Sequence, residues 1–363
     1  MLQTSLSRRS FLGASAASSL ALGVRLPTAQ KLSLLVLGGT TFLGPCIVRS
    51  ALAKGHQVTL FNRGKSNPGL FPELEKLKGD RDAGDLAALQ GKKFDAVIDT
   101  SGYVPGHVEA IAKLFADSAK HYTFISSISV YPEFGSSTKE LDESATLAST
   151  SGEVVDKVKT IRESMPYYGA MKALCEQAAE KAMPGRVANL RAGLIVGPDD
   201  PSDRFTYWPV RVDRGGKVLA PGDQDARVQA IDARDLGQWV VHCVENQVVG
   251  VFNAVGFDGP LTMAELLAGC KCATASVCEL VWASEEFLRE NNVGPWMEMP
   301  LWLPREGRGY ANNDRARQAG LTFRPIADTI RDTLAWAKGN PRAFARTGLK
   351  AEKEAGLLEK LQK

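Results

Sequence analysis

The chain has 363 residues, 44% hydrophobic and 23% charged, a globular composition that excludes bulk disorder; at roughly 100–200 residues per domain it fits one large α/β domain or two smaller ones. Its 44 basic and 41 acidic residues leave +3, too near neutral to call for a polyanion such as nucleic acid as partner. Six cysteines are too few for a disulfide scaffold, and four histidines, none in a paired spacing, predict no metal site.

The first 30 or so residues read as an address and not as part of the fold. Arg8 and Arg9 sit in the string Ser7-Arg8-Arg9-Ser10-Phe11-Leu12, ahead of an Ala/Ser/Gly-rich apolar run that ends at Val24. The run is shorter than the ~20 residues a bilayer span needs, and a charged start before a short apolar run is a secretion signal. The string resembles the twin-arginine export signal, which implies the twin-arginine machinery as a partner and a periplasmic or exported location. Ala21-Leu22-Gly23 and Ala29 both suit a cut, and an uncleaved anchor is the alternative. No membrane span is predicted in the mature chain.

The first strand is expected over 32–37 (LSLLVL), an unbroken apolar run suited to burial on both faces. It feeds the turn Gly38-Gly39-Thr40-Thr41-Phe42-Leu43-Gly44, then a helical pattern over 45–54 and a second strand over 58–62. Pro45 falls in the first helical turn, where its missing N–H costs nothing. Strand, glycine-rich turn, helix and strand in this order predict a dinucleotide-binding unit. Gly38 makes the tight turn, the N–H groups at the helix start meet the pyrophosphate, and Gly44 lets helix and strand approach. Thr41 stands where the usual middle glycine would be, and its hydroxyl can itself bond phosphate. Gly39, Thr40, Phe42 and Leu43 complete this set of cofactor contacts. The second strand ends in Asn62-Arg63-Gly64-Lys65, with no acid to hold a ribose 2′-hydroxyl. Arg63 and Lys65, flanked by Asn62, suit a 2′-phosphate, so NADP is favoured and NAD is the alternative.

A short third segment ends at Gly79, and Asp80 and Arg81 are placed to line the adenine pocket. A fourth strand over 94–99 ends in Thr100-Ser101-Gly102-Tyr103; the first three are assigned to the cofactor and Tyr103 to the substrate side. A helix over 104–120 and a fifth strand over 121–125 follow. This alternation predicts an α/β, Rossmann-type, doubly wound parallel sheet with its ligand at the carboxyl ends of the strands.

The fifth strand ends in Ser126-Ser127-Ile128-Ser129-Val130-Tyr131. Further on, Tyr168-Gly169-Ala170-Met171-Lys172 opens a helix reaching about Met183, and the spacing of Tyr168 and Lys172 puts both on one helix face. Tyr167 is expected to pack rather than react. With the glycine turn and the serine-rich strand end, these strings resemble the extended short-chain dehydrogenase/reductase superfamily, of the NAD-dependent epimerase/dehydratase type. The resemblance rests on VLGGTTFLG at 36–44, SSISVY at 126–131, YGAMKALCE at 168–176, LRAGLIVGP at 190–198 and ARQAGLTFRPIADTIRDTLAW at 316–336. LFNRGKSN and GDRD are similar to the branch that contains the chloroplast stem-loop-binding proteins.

The resemblance implies roles. Tyr168 would be the general acid/base that trades a proton with a substrate hydroxyl or ketone. A tyrosine at ~10 is a poor base at neutral pH, and the Lys172 ammonium and the nicotinamide charge would lower it. Lys172 would also bond the nicotinamide ribose, and Ser127 would hold the substrate oxygen, with Ser129 a second contact. Dehydratases of this superfamily carry an Asp-Glu pair after the strand-end residue; here Ile128 and Ser129 stand there, so epimerisation or simple redox is favoured over elimination.

Beyond Pro198 the α/β rhythm loosens. Asp199 to Asp203 reads as a turn cluster of caps. Arg204, amid aromatic residues, suits a sugar or carboxylate, and packing in a helix is the equal alternative. Arg227 matches the family arginine that binds a substrate phosphate, displaced by one residue. Asp232 and Asp235 are expected to cap the next helix. The loop over 295–304, bulky and bounded by prolines, is expected to pack rather than close over substrate. Two of Cys270, Cys272 and Cys278 would be able to pair in an exported protein.

The predicted organisation is a leader over 1–30, a nucleotide-binding domain over 31–197 completed by 228–255, a smaller substrate-binding lobe from 198–227 and 256–338, and a helical tail over 339–363. The tail's sparse leucine stripe suits docking on the body or on another subunit; a homodimer is one option. The expected partner is a small, carbohydrate-like substrate. The alternative function is RNA binding or scaffolding on the same fold.

Overall fold

The computed structural model describes residues 30–134, 140–340 and 347–362; the twin-arginine string and both candidate cut sites lie outside the described residues. Every element below belongs to the unit Leu32–Lys363.

The unbroken apolar run of Ser33–Leu37 (β1) is explained by what covers it. Leu34 and Val36 enter one core with Ile47 and Val48 of helix Leu43–Ala53 (α1). Leu35 and Leu37 enter the opposite core with Val108, Ile111 and Phe115. Strands Gln57–Asn62 (β2), Glu75–Lys78 (β3) and Ala96–Asp99 (β4) follow, then helix Pro105–Phe115 (α2) and strand His121–Ser127 (β5). Helix Tyr168–Ala182 (α3), strand Val187–Ala192 (β6), helix Ala233–Glu245 (α4) and strand Gly250–Ala254 (β7) complete the layer structure. The sheet runs β7-β6-β5-β4-β1-β2-β3 with every pair parallel. α1 packs with α4 on one face, α2 with α3 on the other. The strand order reverses between β1 and β4, and a cleft opens there at the carboxyl ends. All seven residues of β5 are buried, as its central place in the sheet requires.

Several boundaries differ from expectation: α1 starts at Leu43 rather than Pro45, and β4 at Ala96 rather than Phe94. α2 stops at Phe115, not Lys120, because Asp117 and Ser118 turn the chain back so that Ala119 N–H donates to the Phe115 carbonyl. β5 continues to Ser127, bringing that side chain to the strand end.

A smaller lobe has its own core around Phe205, Trp208, Leu266 and Leu267, with strands Gly216–Pro221 and Cys278–Ala283 paired in parallel. Met299, Leu301 and Trp302 of the proline-bounded loop enter this core, and Trp208 Nε1 donates to the Pro300 carbonyl at 2.8 Å. The tail helix Ala351–Lys360 docks on the same lobe through Leu357 and a buried Arg211–Glu354 pair at 2.6 Å. Asp232 caps α4 by accepting from Arg234 N–H, whereas Asp235 instead binds the Arg324 guanidinium at 2.8 Å. Tyr167, expected to pack, is 41% exposed because its turn projects from the body ahead of α3. Cys270 and Cys278 are buried free thiols and Cys272 is exposed. Among the described residues no helix is long and apolar enough to cross a membrane.

Candidate active site

The cleft beyond β1, β2 and β4 has a volume of about 420 Å³. Gly38, Thr40, Thr41, Phe42 and Leu43 form one wall; Asn62, Arg63, Lys65, Asp80, Arg81, Thr100 and Ser101 line the rest of this half. Gly38 has φ +102°, and a Cβ there would lie 2.4 Å from Thr100 Oγ1, so only glycine makes this turn. α1 starts with no side-chain cap and no acid in its first turn, which leaves the positive end of an 11-residue helix to an anion. The donor set therefore fits a dinucleotide.

Three predicted contacts act from behind the wall, and three that line it are also tied to the protein itself. Gly39, Gly44 and Gly102 do not line the cleft; they admit close packing. Thr40 donates its hydroxyl to the Ser66 carbonyl, and Thr100 donates to the Leu37 carbonyl. Arg81 reaches the cleft, but its guanidinium is held by Asp99 at 2.8 and 2.9 Å. Asp99 also accepts from Tyr122 Oη at 2.9 Å and Ser101 N–H at 3.0 Å. Arg81 and these hydrogen bonds together outweigh the burial that opposes the Asp99 charge, so its carboxyl stays below the usual range.

The rim beyond β2 is rich in donors. Asn62 Oδ1 accepts from Gly64 N–H at 2.8 Å, which leaves its Nδ2 buried without a partner. Arg63 and Lys65 are exposed and, among the described residues, pair with no carboxylate.

Ser127, Tyr168 and Lys172 meet at the inner end of this cleft. The Lys172 ammonium donates to the Ile125 carbonyl at 2.8 Å and lies 4.5, 4.8 and 5.9 Å from the ring centroids of Tyr103, Phe124 and Tyr168. These rings hold the cation by their electron-rich faces. Ser127 Oγ accepts from Ser129 N–H at 3.1 Å, which fixes its rotamer at the strand end. Gly169 lets α3 come this close: a Cβ there would lie 2.0 Å from the Ser129 carbonyl oxygen. Behind them, Glu176 accepts from Ser126 Oγ and from Arg191, locking α3 to β5 and β6.

Burial pushes the Tyr168 phenol up to about 12, and the Ser127 hydroxyl bonded to it pulls the other way. Burial brings Lys172 down to about 8. The expected lowering of Tyr168 by Lys172 is thus not what the chain's own groups achieve, because burial dominates and the ammonium points at Ile125.

A second cavity of about 670 Å³ meets the first at Ser127, Tyr168, Ala192 and Gly193. It is lined by Ser129, Arg204, Arg227, Trp296, Trp302, Arg308 and Tyr310 among others, so the loop expected only to pack also forms a wall. Tyr103 lies on the cleft side, over Lys172. Phe124, the Ile125 carbonyl and Arg308 went unread in the sequence, and Trp296 was read only as part of the loop over 295–304; only the glycine of Tyr168-Gly169 carried a local signal of the close approach.

A sequence profile of the NAD dependent epimerase/dehydratase family matches residues 34–254. The chloroplast stem-loop binding protein of 41 kDa b from Arabidopsis thaliana is 35% identical over 113 residues, 27% of this chain and 30% of that protein, so the match spans under a third of its length. The fold is similar to that of UDP-N-acetylglucosamine 4-epimerase from Bacillus cereus (17% identity, TM-score 0.58, covering 85% of this chain and 97% of that one). It is also similar to Thermus thermophilus UDP-glucose 4-epimerase complexed with NAD (15%, 0.58, 85% and 99%). A human epimerase family protein solved with NADPH gives 19%, 0.56, 84% and 99%.

Proposed function

The chain belongs to the NAD dependent epimerase/dehydratase family, and from that premise we propose that it is an exported, NADP-dependent oxidoreductase or epimerase acting on a hydroxyl or ketone of a small, sugar-like substrate. The observation that carries this reading is the junction: Ser127 and Tyr168 line both the dinucleotide cleft and the second cavity. A proton-transfer group and an oxygen-holding hydroxyl thus stand where a cofactor and a substrate would meet. The epimerases of similar fold are named for UDP-sugars, which supports a carbohydrate-like substrate.

A nicotinamide held in the cleft would supply or accept a hydride. The chain's own groups handle the proton and the geometry. A phenol near 12 is protonated at neutral pH, so Tyr168 stands ready to donate to a substrate carbonyl oxygen. Acting as a base in the opposite direction, it needs positive charge beside it beyond that of the chain's own groups, because burial dominates its shift and the Lys172 ammonium is directed at the Ile125 carbonyl. Ser127 orients the substrate oxygen, and with Ile128 and Ser129 following it no carboxylate stands ready for elimination.

NADP over NAD is supported by the donors at the rim. Where an acid would accept from a 2′-hydroxyl, Asn62 offers an unpartnered amide N–H, next to two uncommitted cations. Arg63→Ala is expected to weaken NADPH binding ~10–100-fold, the scale of a lost charge-assisted hydrogen bond, and NADH far less. Equal losses in direct titrations of both nucleotides would refute the 2′-phosphate reading.

Export rests on Ser7-Arg8-Arg9-Ser10-Phe11-Leu12. Away from the cytoplasmic nucleotide pool, an enzyme works best with a cofactor it retains and resets at each turnover, which favours epimerisation or coupled oxidation and reduction. Replacing Arg8 and Arg9 together with Lys should leave the protein in the cytoplasmic fraction; unchanged export would reject the signal. The Arabidopsis relative favours a second reading, nucleic-acid binding, against which the +3 net charge counts.

A further inference from the structure

Among the described residues the second cavity is lined by three arginines, Arg204, Arg227 and Arg308, and by no acidic residue. Two of the three have their own carboxylates. Arg227 pairs with Glu140, and its guanidinium lies 4.6 Å from the Tyr310 ring centroid. Arg308 pairs with Asp223 and donates from Nε to the Leu303 carbonyl at 2.9 Å. Arg204 differs: among the described residues no carboxylate forms an ion pair with it. The nearby Asp200 attracts it without forming an ion-pair contact, and itself accepts from the Ser202 N–H and hydroxyl at 2.8 and 2.9 Å. The Arg204 guanidinium lies 5.3 Å from the Trp296 ring centroid, and its Nε is buried with no hydrogen-bond partner; Arg227 Nε and Arg308 Nη2 are also unpartnered, so what sets Arg204 apart is the missing carboxylate pair. A stacked, buried donor beside an indole, in a cavity without acids, is a waiting anion site.

We propose that Arg204 receives an oxyanion of the substrate, a carboxylate or a phosphate, laid against Trp296, so that the substrate is an acidic sugar-like molecule rather than a neutral one. The proposal rests on the reading that substrate reacts at the Tyr168 end of this cavity. It also departs from the resemblance, which would assign a substrate phosphate to Arg227; that arginine is already neutralised by Glu140. The shared chemistry is an oxyanion, and the test separates its two sources.

The purified chain loaded with NADPH is titrated calorimetrically, at fixed ionic strength, with glucuronate, glucose 6-phosphate and glucose. The wild type is compared with Arg204→Leu and Arg204→Lys. At least one acid should bind ~10-fold or more tightly than glucose, the scale of a charge-assisted contact. The better acid identifies carboxylate or phosphate. Arg204→Leu should abolish the preference and Arg204→Lys keep part of it. Binding of glucose as tight as that of both acids, binding of neither acid, or an undiminished preference in Arg204→Leu each overturns the proposal. NADPH affinity, titrated separately, should be the same in all three proteins. A wild-type chain that binds NADPH but shows no acid preference removes only the role of Arg204; a wild-type chain that binds no NADPH removes the function on which it rests.

Discussion

Replacing Tyr168 by phenylalanine is expected to lower kcat/KM by ~10²–10⁴-fold, the usual contribution of a positioned acid/base, on whichever hydroxyl or ketone substrate the wild type turns over. Dinucleotide affinity should stay unchanged. The substitution removes one oxygen and keeps the ring, which contacts Tyr103 at a centroid distance of 6.2 Å, so the packing around Lys172 survives. The separation of effects is what the geometry demands: the phenol stands at the junction of the two cavities, while the glycine turn and the rim beyond β2 lie in the cleft. Full activity in the variant, measured as hydride transfer or as interconversion of epimers, would remove Tyr168 from the chemistry. A loss of dinucleotide binding equal to the loss of rate would make it a packing residue.

The second large effect is structural. Asp99→Asn should destabilise the fold by ~3–5 kcal/mol, because it leaves the Arg81 guanidinium buried without its counter-charge. Asp99 is fully buried, and Arg81 has no other carboxylate partner among the described residues. Tyr122→Phe removes one hydrogen bond to the same carboxylate and should cost only ~1 kcal/mol. Urea unfolding of both variants checks the ratio, and equal losses would contradict the buried pair. The pH dependence has a definite sign. The Asp99 carboxyl is held below its ordinary value, so its stabilisation is whole above the ordinary carboxylate range and is lost as pH falls through the depressed folded value. The cleft floor is therefore acid-labile and firm at neutral pH.

Features that depend on neighbours in the chain were legible before the fold. The strand over 32–37, the glycine turn and the one-face spacing of Tyr168 and Lys172 are local patterns, and each appears where expected. Ser127 was placed at the strand end although the strand runs further than its apolar stretch suggested. Interactions between distant segments were not legible. Arg81 lines the cleft as expected, but nothing local ties it to Asp99 at the end of β4. Thr100 lines the cleft as expected, but the donation of its hydroxyl to the Leu37 carbonyl depends on the packed sheet. The tail helix showed only a weak leucine stripe, and its seat depends on Glu354 reaching Arg211. The direction of the Tyr168 shift also needed the fold, because burial is a property of the packed site and not of a motif.

A retained NADP-type cofactor at the proposed Ser127-Tyr168-Lys172 site would be revealed by denaturing the purified protein and identifying the nucleotide it releases. NADP or NADPH should appear in near-equal amount to protein, and none from a preparation in which the rim cations Arg63 and Lys65 are both replaced by Ala. Release of no nucleotide, from a protein that instead binds RNA with strongly salt-dependent affinity, would contradict a retained cofactor.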